Sequence, residues 1–264
     1  MEKTQGTRLI GHIARDSTAI PAREHFALAA AQLKREEKKK QRKVKGRRHP
    51  KGSLARAKPS ERGSRIQRQR HQELDKMLAD LPRQCDIGGK KNARGDNEYW
   101  RGYKLHLDVA EGQIPISAIL TSASVHVSQV AIPLMTQTSQ RVTYLYDLMD
   151  SAYNTKLLHE HGRQLNHVPI IAIHPRRGAK KPSPLTKTLP AQPTPQMTWA
   201  QQERYNERTM SERVKARLKD EFGATHLRVR GAATVMAHLM FGVVALTVDQ
   251  WLRFSINRVF ERSQ

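Results

Sequence analysis

The chain has 264 residues, with 47 Lys and Arg against 24 Asp and Glu, a formal net charge of +23 at neutral pH. This length bounds it to one or two domains. So large a positive excess would repel itself in a compact state without a polyanion nearby, so nucleic acid is the expected partner and an anionic membrane surface the rival. A single cysteine, Cys85, excludes a disulfide framework and a Cys-based zinc module and agrees with a reducing compartment.

Residues 8–15 (RLIGHIAR) read as a short strand ending at Asp16. Residues 34–70 then carry 17 basic and 3 acidic side chains, a net +14. This segment has too few apolar residues to form a core and reads as a solvated, partly disordered arm that binds phosphate. Ile66, Leu74, Met77, Leu78 and Leu81 fall near a 3.6-residue period, which predicts a short amphipathic helix stopped by Pro82. Residues 99–109 (YWRGYKLHLDV) alternate large and polar side chains as a half-buried strand does. Gly112 marks a turn, and residues 114–120 complete a hairpin. Residues 142–148 are a further strand, ending at Asp150, and residues 154–165 suit a helix. Residues 168–173 read as another buried strand. The Pro-rich residues 175–195 read as an extended connection. A long polar helix is predicted over residues 199–222, with Trp199 expected to anchor its start. The last segment, residues 232–252, is the most apolar. It is long enough to raise the question of a membrane span, but His238 and Asp249 are costly in lipid, so it is expected to be a buried core helix, extended by residues 253–262. Strands alternating with helices predict a mixed α/β layer architecture, and the ends of such strands are where chemistry is usually placed.

The long helix carries an informative stripe. At about 100° per residue, Tyr205, Arg208, Glu212 and Lys219 fall within about 60° of arc. Met210, Val214 and Leu218 fall on the opposite side, which should face the core. By geometry alone the stripe is also what an ordinary surface helix with ion pairs such as Arg208–Glu212 would show. Set beside the two strand-end aspartates, however, Glu212 completes a set of three carboxylates. Hard divalent cations favour such oxygen ligands, and two of them can clamp the attacking and leaving oxygens of a phosphodiester.

The spacing Tyr205–x2–Arg208–x3–Glu212–x6–Lys219 resembles the Tyr-(2)-Arg-(3)-Glu-(6)-Lys signature of bacterial insertion-sequence transposases of the DDE type, the IS-four-like group. RDSTAI around Asp16, CDIGGKKN followed by YWRGYKLHLDV, and LMDSAYN around Asp150 resemble other segments of that family. Together they cover residues 8 to 248. The resemblance implies a ribonuclease-H-like mixed sheet flanked by helices, with a basic helical or disordered insertion after the first strand. Residues 1–33 would hold the first strand of the catalytic core, residues 34–82 the basic arm and short helix, and residues 83–264 the rest of the core. It further implies Asp16, Asp150 and Glu212 as catalytic, metal-binding acids, with two Mg2+ or Mn2+ ions. Asp147 and Asp108 compete for the second acidic place; Asp150 is preferred because Ser151–Tyr153 follow it as in the family motif.

Tyr205, Arg208 and Lys219 are expected on the phosphate backbone. Lys104 and His106 either line the site or serve the core or sheet surface. The implied activity is metal-dependent phosphodiester hydrolysis at transposon ends followed by strand transfer. The partners are double-stranded DNA (terminal inverted repeats and target) and a second copy in a homodimer, with no membrane and no small-molecule substrate. The compartment is the bacterial cytoplasm, at the nucleoid. Because Asp16 stands so near the first residue, the chain is expected to correspond to the catalytic portion of a longer transposase. The alternative is a truncated, non-autonomous relic that binds DNA or inhibits.

Overall fold

The computed structural model describes residues 10–24, 64–91, 94–173 and 197–262, apart from the side chains of residue 91 and residues 257–262. Most of the basic arm and the Pro-rich connection lie outside the described residues. Six strands form one mixed sheet: β1 (Ile10–Pro21), β2 (Asp86–Lys91), β3 (Asn97–Ala110), β4 (Ile114–Ser122), β5 (Tyr144–Met149) and β6 (Val168–Ile171). The order is β2-β3-β1-β5-β6, with β4 also paired to β3. β3 runs antiparallel to β1, β2 and β4, whereas β1, β5 and β6 are parallel. The helices among the described residues are α1 (Arg65–Gln69), α2 (Leu74–Ala79), α3 (Ser128–Ser139), α4 (Lys156–Gln164), α5 (Trp199–Asn206), α6 (Thr209–Asp220) and α7 (Ala232–Arg262).

Residues paired across a sheet share a face, and successive residues alternate. On one face Ala14, Leu107 and Leu148 meet Met210, Val214 and Leu218 of α6 and Val235, Leu239 and Leu246 of α7. Burying each of these larger side chains is worth about 1.5–3 kcal/mol. This core holds α6 against β1 and β3. On the other face α3 presents Ile132 and Met135 to Met149 and Tyr153.

That second face also encloses an ionic cluster. Arg15, wholly buried, donates to Asp108 at 2.6 Å and Asp147 at 3.1 Å. Thr138 donates to Asp108 at 2.6 Å and Tyr144 to Asp147 at 3.0 Å. One guanidinium therefore ties β1, β3 and β5 together.

Several sequence-based boundaries shift. β1 runs five residues past Asp16, because β3 remains paired to it as far as Pro21 whereas β5 leaves it after Arg15. Gly102, at φ +145°, sits where β1 and β3 close: a β-carbon there would collide with the Ile20 carbonyl oxygen. The amphipathic segment before Pro82 is two short helices rather than one. The helix expected over residues 199–222 is likewise two, broken at Glu207–Arg208. Trp199 does not anchor its start, since the side chain is 78% exposed. Thr198 caps that end instead, accepting from the Gln201 N–H.

The apolar C-terminal helix also differs from expectation. It is long and apolar enough to cross a membrane, but it is not buried all round. Val235, Leu239, Gly242, Leu246 and Gln250 form a buried stripe, while Phe241, Val244, Val248, Trp251, Leu252 and Ile256 are exposed. Its polar residues find protein partners. Asp249 accepts from Arg217 at 2.5 Å and Arg253 at 2.8 Å, and His238 contacts the Gly223 carbonyl. Gly242 permits close packing; a β-carbon there would meet the Phe222 carbonyl oxygen at 2.9 Å.

Candidate active site

The site forms where β5 stops alongside β1. Arg15 pairs with Met149, so the next residue on each chain, Asp16 and Asp150, stands at the same level of the sheet. Asp16 pairs with Leu107 and so shares the face covered by α6. Asp150 leaves the strand and caps a turn of 3-10 helix, Ser151–Tyr153, by accepting from the Ala152 N–H at 2.9 Å. Burial raises the Asp150 carboxyl above its ordinary range, and the negative charge of Asp16 raises it further. The Ala152 N–H, Arg208 and Lys215 oppose this. Two half-buried acids that repel each other are therefore held together by the middle of β1 and the end of β5.

Cations from α6 and its N-terminal cap answer them. Arg208 bridges two carboxylates: Nη1 donates to Asp16 at 3.2 Å and Nη2 to Glu212 at 2.6 Å. Lys215 donates to the same Asp16 oxygen, and the Ser17 N–H occupies the other at 2.7 Å. Glu212 is tied to Asp16 through Arg208 and is half exposed. Among the described residues no group of three or more His, Cys, Asp or Glu side chains is arranged to hold a metal ion. Asp16 and Asp150 offer carboxylate oxygens of the type a divalent cation takes, but both Asp16 oxygens are engaged by Ser17, Arg208 and Lys215 in this arrangement. The third expected ligand, Glu212, is paired with Arg208 in this arrangement.

Tyr205 is half-buried with the Arg208 guanidinium 5.6 Å from its ring centre. Lys219 lies one turn beyond Lys215. Desolvation lowers its pKa, and the nearby charges of Lys90 and Lys215 add to the effect. Tyr205, Arg208 and Glu212 are thus linked in a row across the helix break.

Lys104 and His106 are corrections. They pair with Ala19 and Ser17, residues that alternate with Asp16, so they lie on the opposite face of the sheet. Lys104 donates to the Val125 carbonyl at 2.8 Å. His106 is wholly buried against Thr121, and desolvation lowers its pKa to about 3. Neither lines the acidic pair. Asp147 and Asp108 are the buried partners of Arg15 on that same opposite face.

Lys215 is a site residue that the sequence motif passes over. Its signal is nonetheless present: it lies three residues after Glu212 and four before Lys219, on the edge of the same stripe.

A family model described as a transposase DDE domain matches residues 63–248. The match includes Asp150, Tyr205, Arg208, Glu212 and Lys219; Asp16 and β1 precede it. Comparison with curated proteins and with solved structures gave no match. The mixed sheet with helices on both faces is the ribonuclease-H-like architecture of such domains, whose members act on DNA with divalent metal ions. With its family match spanning most of its length, the chain belongs to the transposase DDE domain family.

Proposed function

We propose that the chain is the catalytic domain of an insertion-sequence transposase of the Tyr-(2)-Arg-(3)-Glu-(6)-Lys group. It would hydrolyse a phosphodiester at a transposon end and then join the freed 3′-hydroxyl to target DNA. One observation carries this reading: Asp16 and Asp150 come together where β5 ends alongside the continuing β1, with Arg208 and Lys215 donating to Asp16 from the cap and body of α6.

Asp16 and Asp150 are the residues that would hold metal, Mg2+ or Mn2+, and Glu212 would join them. A bound metal would activate the attacking oxygen and stabilise charge on the phosphate. The protein's own part is positional. Arg208 engages both Asp16 and Glu212, and a guanidinium makes bidentate bonds to phosphate as readily as to carboxylate. A DNA phosphate that captures Arg208 would free both carboxylates at once. Lys215 would neutralise Asp16 until the substrate arrives, Tyr205 would back the Arg208 guanidinium, and Lys219 would continue the track along the backbone. Two copies acting on paired ends, in the bacterial cytoplasm, complete the proposal.

The test is a nicking and strand-transfer assay on end-bearing duplex DNA with Mg2+ or Mn2+. Replacing Asp150 with Asn should lower the rate by about 10²-fold or more, the order seen when a catalytic electrostatic group is removed. Full activity in that variant would overturn the assignment.

A further inference from the structure

We infer a second phosphate-binding site, formed by Arg23, Arg228 and Arg230, that grips the DNA backbone away from the acidic pair. This inference rests on the proposed action on DNA. A cavity of about 470 Å3 lies between the end of β1 and the loop joining α6 to α7, lined by Arg23, His226, Leu227, Arg228, Val229 and Arg230. The loop alternates: Leu227 is buried in the core and Val229 packs against it, whereas Arg228 and Arg230 are exposed. Two residues of extended chain span about 6.6 Å, the order of the separation between successive backbone phosphates. The apolar residues fix the loop, so the arginines project from an anchored backbone.

The charge in this cavity is uncompensated among the described residues that line it, which include no carboxylate. Glu24, next to Arg23, borders the cavity without lining it, and its Oε1 is taken by two donors. It accepts from the Tyr103 hydroxyl at 2.8 Å and from the Gly231 N–H at 2.7 Å, which fastens the loop to the end of β1. Both the cavity and the acidic pair lie on the side of the sheet covered by α6 and α7. Arg23 lies seven residues beyond Asp16. At about 3.3 Å per residue the two stand on the order of 20 Å apart, roughly six base pairs of duplex at about 3.4 Å each. A duplex with a phosphodiester at Asp16 and Asp150 can thus lay a neighbouring stretch of backbone across the three arginines. Contacts of this type position DNA without reading its sequence.

The test is the salt dependence of duplex binding, measured by fluorescence anisotropy for the wild type and for the combined variant Arg23→Ala, Arg228→Ala, Arg230→Ala. The slope of log K against log salt should become shallower by about 2–3, close to one for each phosphate that the variant no longer neutralises. The combined Arg→Lys variant should keep most of the slope. Arg228→Glu alone provides a second reading if the triple variant does not fold. An unchanged slope in a folded variant overturns the inference. So does thermal stabilisation by inorganic phosphate at constant ionic strength that the alanine variant loses while its slope is unchanged, because that marks a site for a free anion. Wild-type nicking with no slope change would refute the second site and leave the proposed catalysis standing. A slope change with no nicking by the wild type would do the reverse.

Discussion

Asp150 is the residue on which folding and function pull in opposite directions. Its carboxyl is raised by burial and by Asp16, so the folded state binds this proton more readily than the unfolded chain. Its ionisation therefore opposes folding at neutral pH, and the opposition fades as pH falls through the raised value toward that of an ordinary carboxylate. Asp150→Asn retains an oxygen to accept from the Ala152 N–H and removes the repulsion. Thermal melts without divalent metal should show the variant more stable than wild type near neutral pH, with the gain disappearing in acid. Added Mg2+ or Mn2+ should raise the wild-type melting temperature more than that of the variant. Lys215 can be tested independently. Lys215→Ala leaves Asp16 with Arg208 as its remaining side-chain cation; DNA cleavage should fall about 10- to 100-fold, the scale of losses around metal ligands, with little change in the circular dichroism spectrum. Unchanged cleavage would remove Lys215 from the site.

At the scale of elements, the acidic pair exists because β1 outruns β5. β1 continues to Pro21 against β3, while β5 ends at Met149, so Asp150 turns out beside Asp16 instead of pairing with it. Behind that junction, Arg15 clamps Asp108 and Asp147 on the far face. Removing one partner of a buried ion pair leaves an uncompensated charge, and Arg15→Met should cost about 3–5 kcal/mol, measurable by urea unfolding. A cost under about 1 kcal/mol would mean that the cluster does not hold the strands. The stripe on α6 is legible in the sequence because helix periodicity is local: Met210, Val214 and Leu218 are buried and Arg208, Glu212 and Lys215 turn the other way. The break at Arg208 is hidden, since no Pro or Gly marks it. β2 is also obscured, because its central Gly88–Gly89 has no strand propensity of its own. Gly88 is there because the Trp100 ring occupies the place where a β-carbon would point.

For the whole molecule, the dominant quantity is charge. The net +14 over residues 34–70 predicts that deleting residues 34–63 reduces the salt dependence of DNA binding by several units of slope. Cleavage chemistry at saturating DNA should persist, because the acidic pair and α6 are built from other residues. A slope unchanged by the deletion would show that the arm does not neutralise phosphates. Composition and spacing were enough to indicate a polyanion partner, an α/β sheet and a helical segment with opposed polar and apolar stripes, since each depends on residue type or on a period of a few positions. The motif resemblance favoured Asp16 and Asp150, but only the tertiary structure has the physical means of bringing them together. Asp16, Asp108, Asp147 and Asp150 are interchangeable by residue type, and their separation into a half-buried pair and a fully buried cluster follows from strand register. The same register sends Lys104 and His106 to the opposite face from Asp16. A shift of one residue reverses every side chain of a strand, and no local pattern fixes the pairing of segments some ninety residues apart.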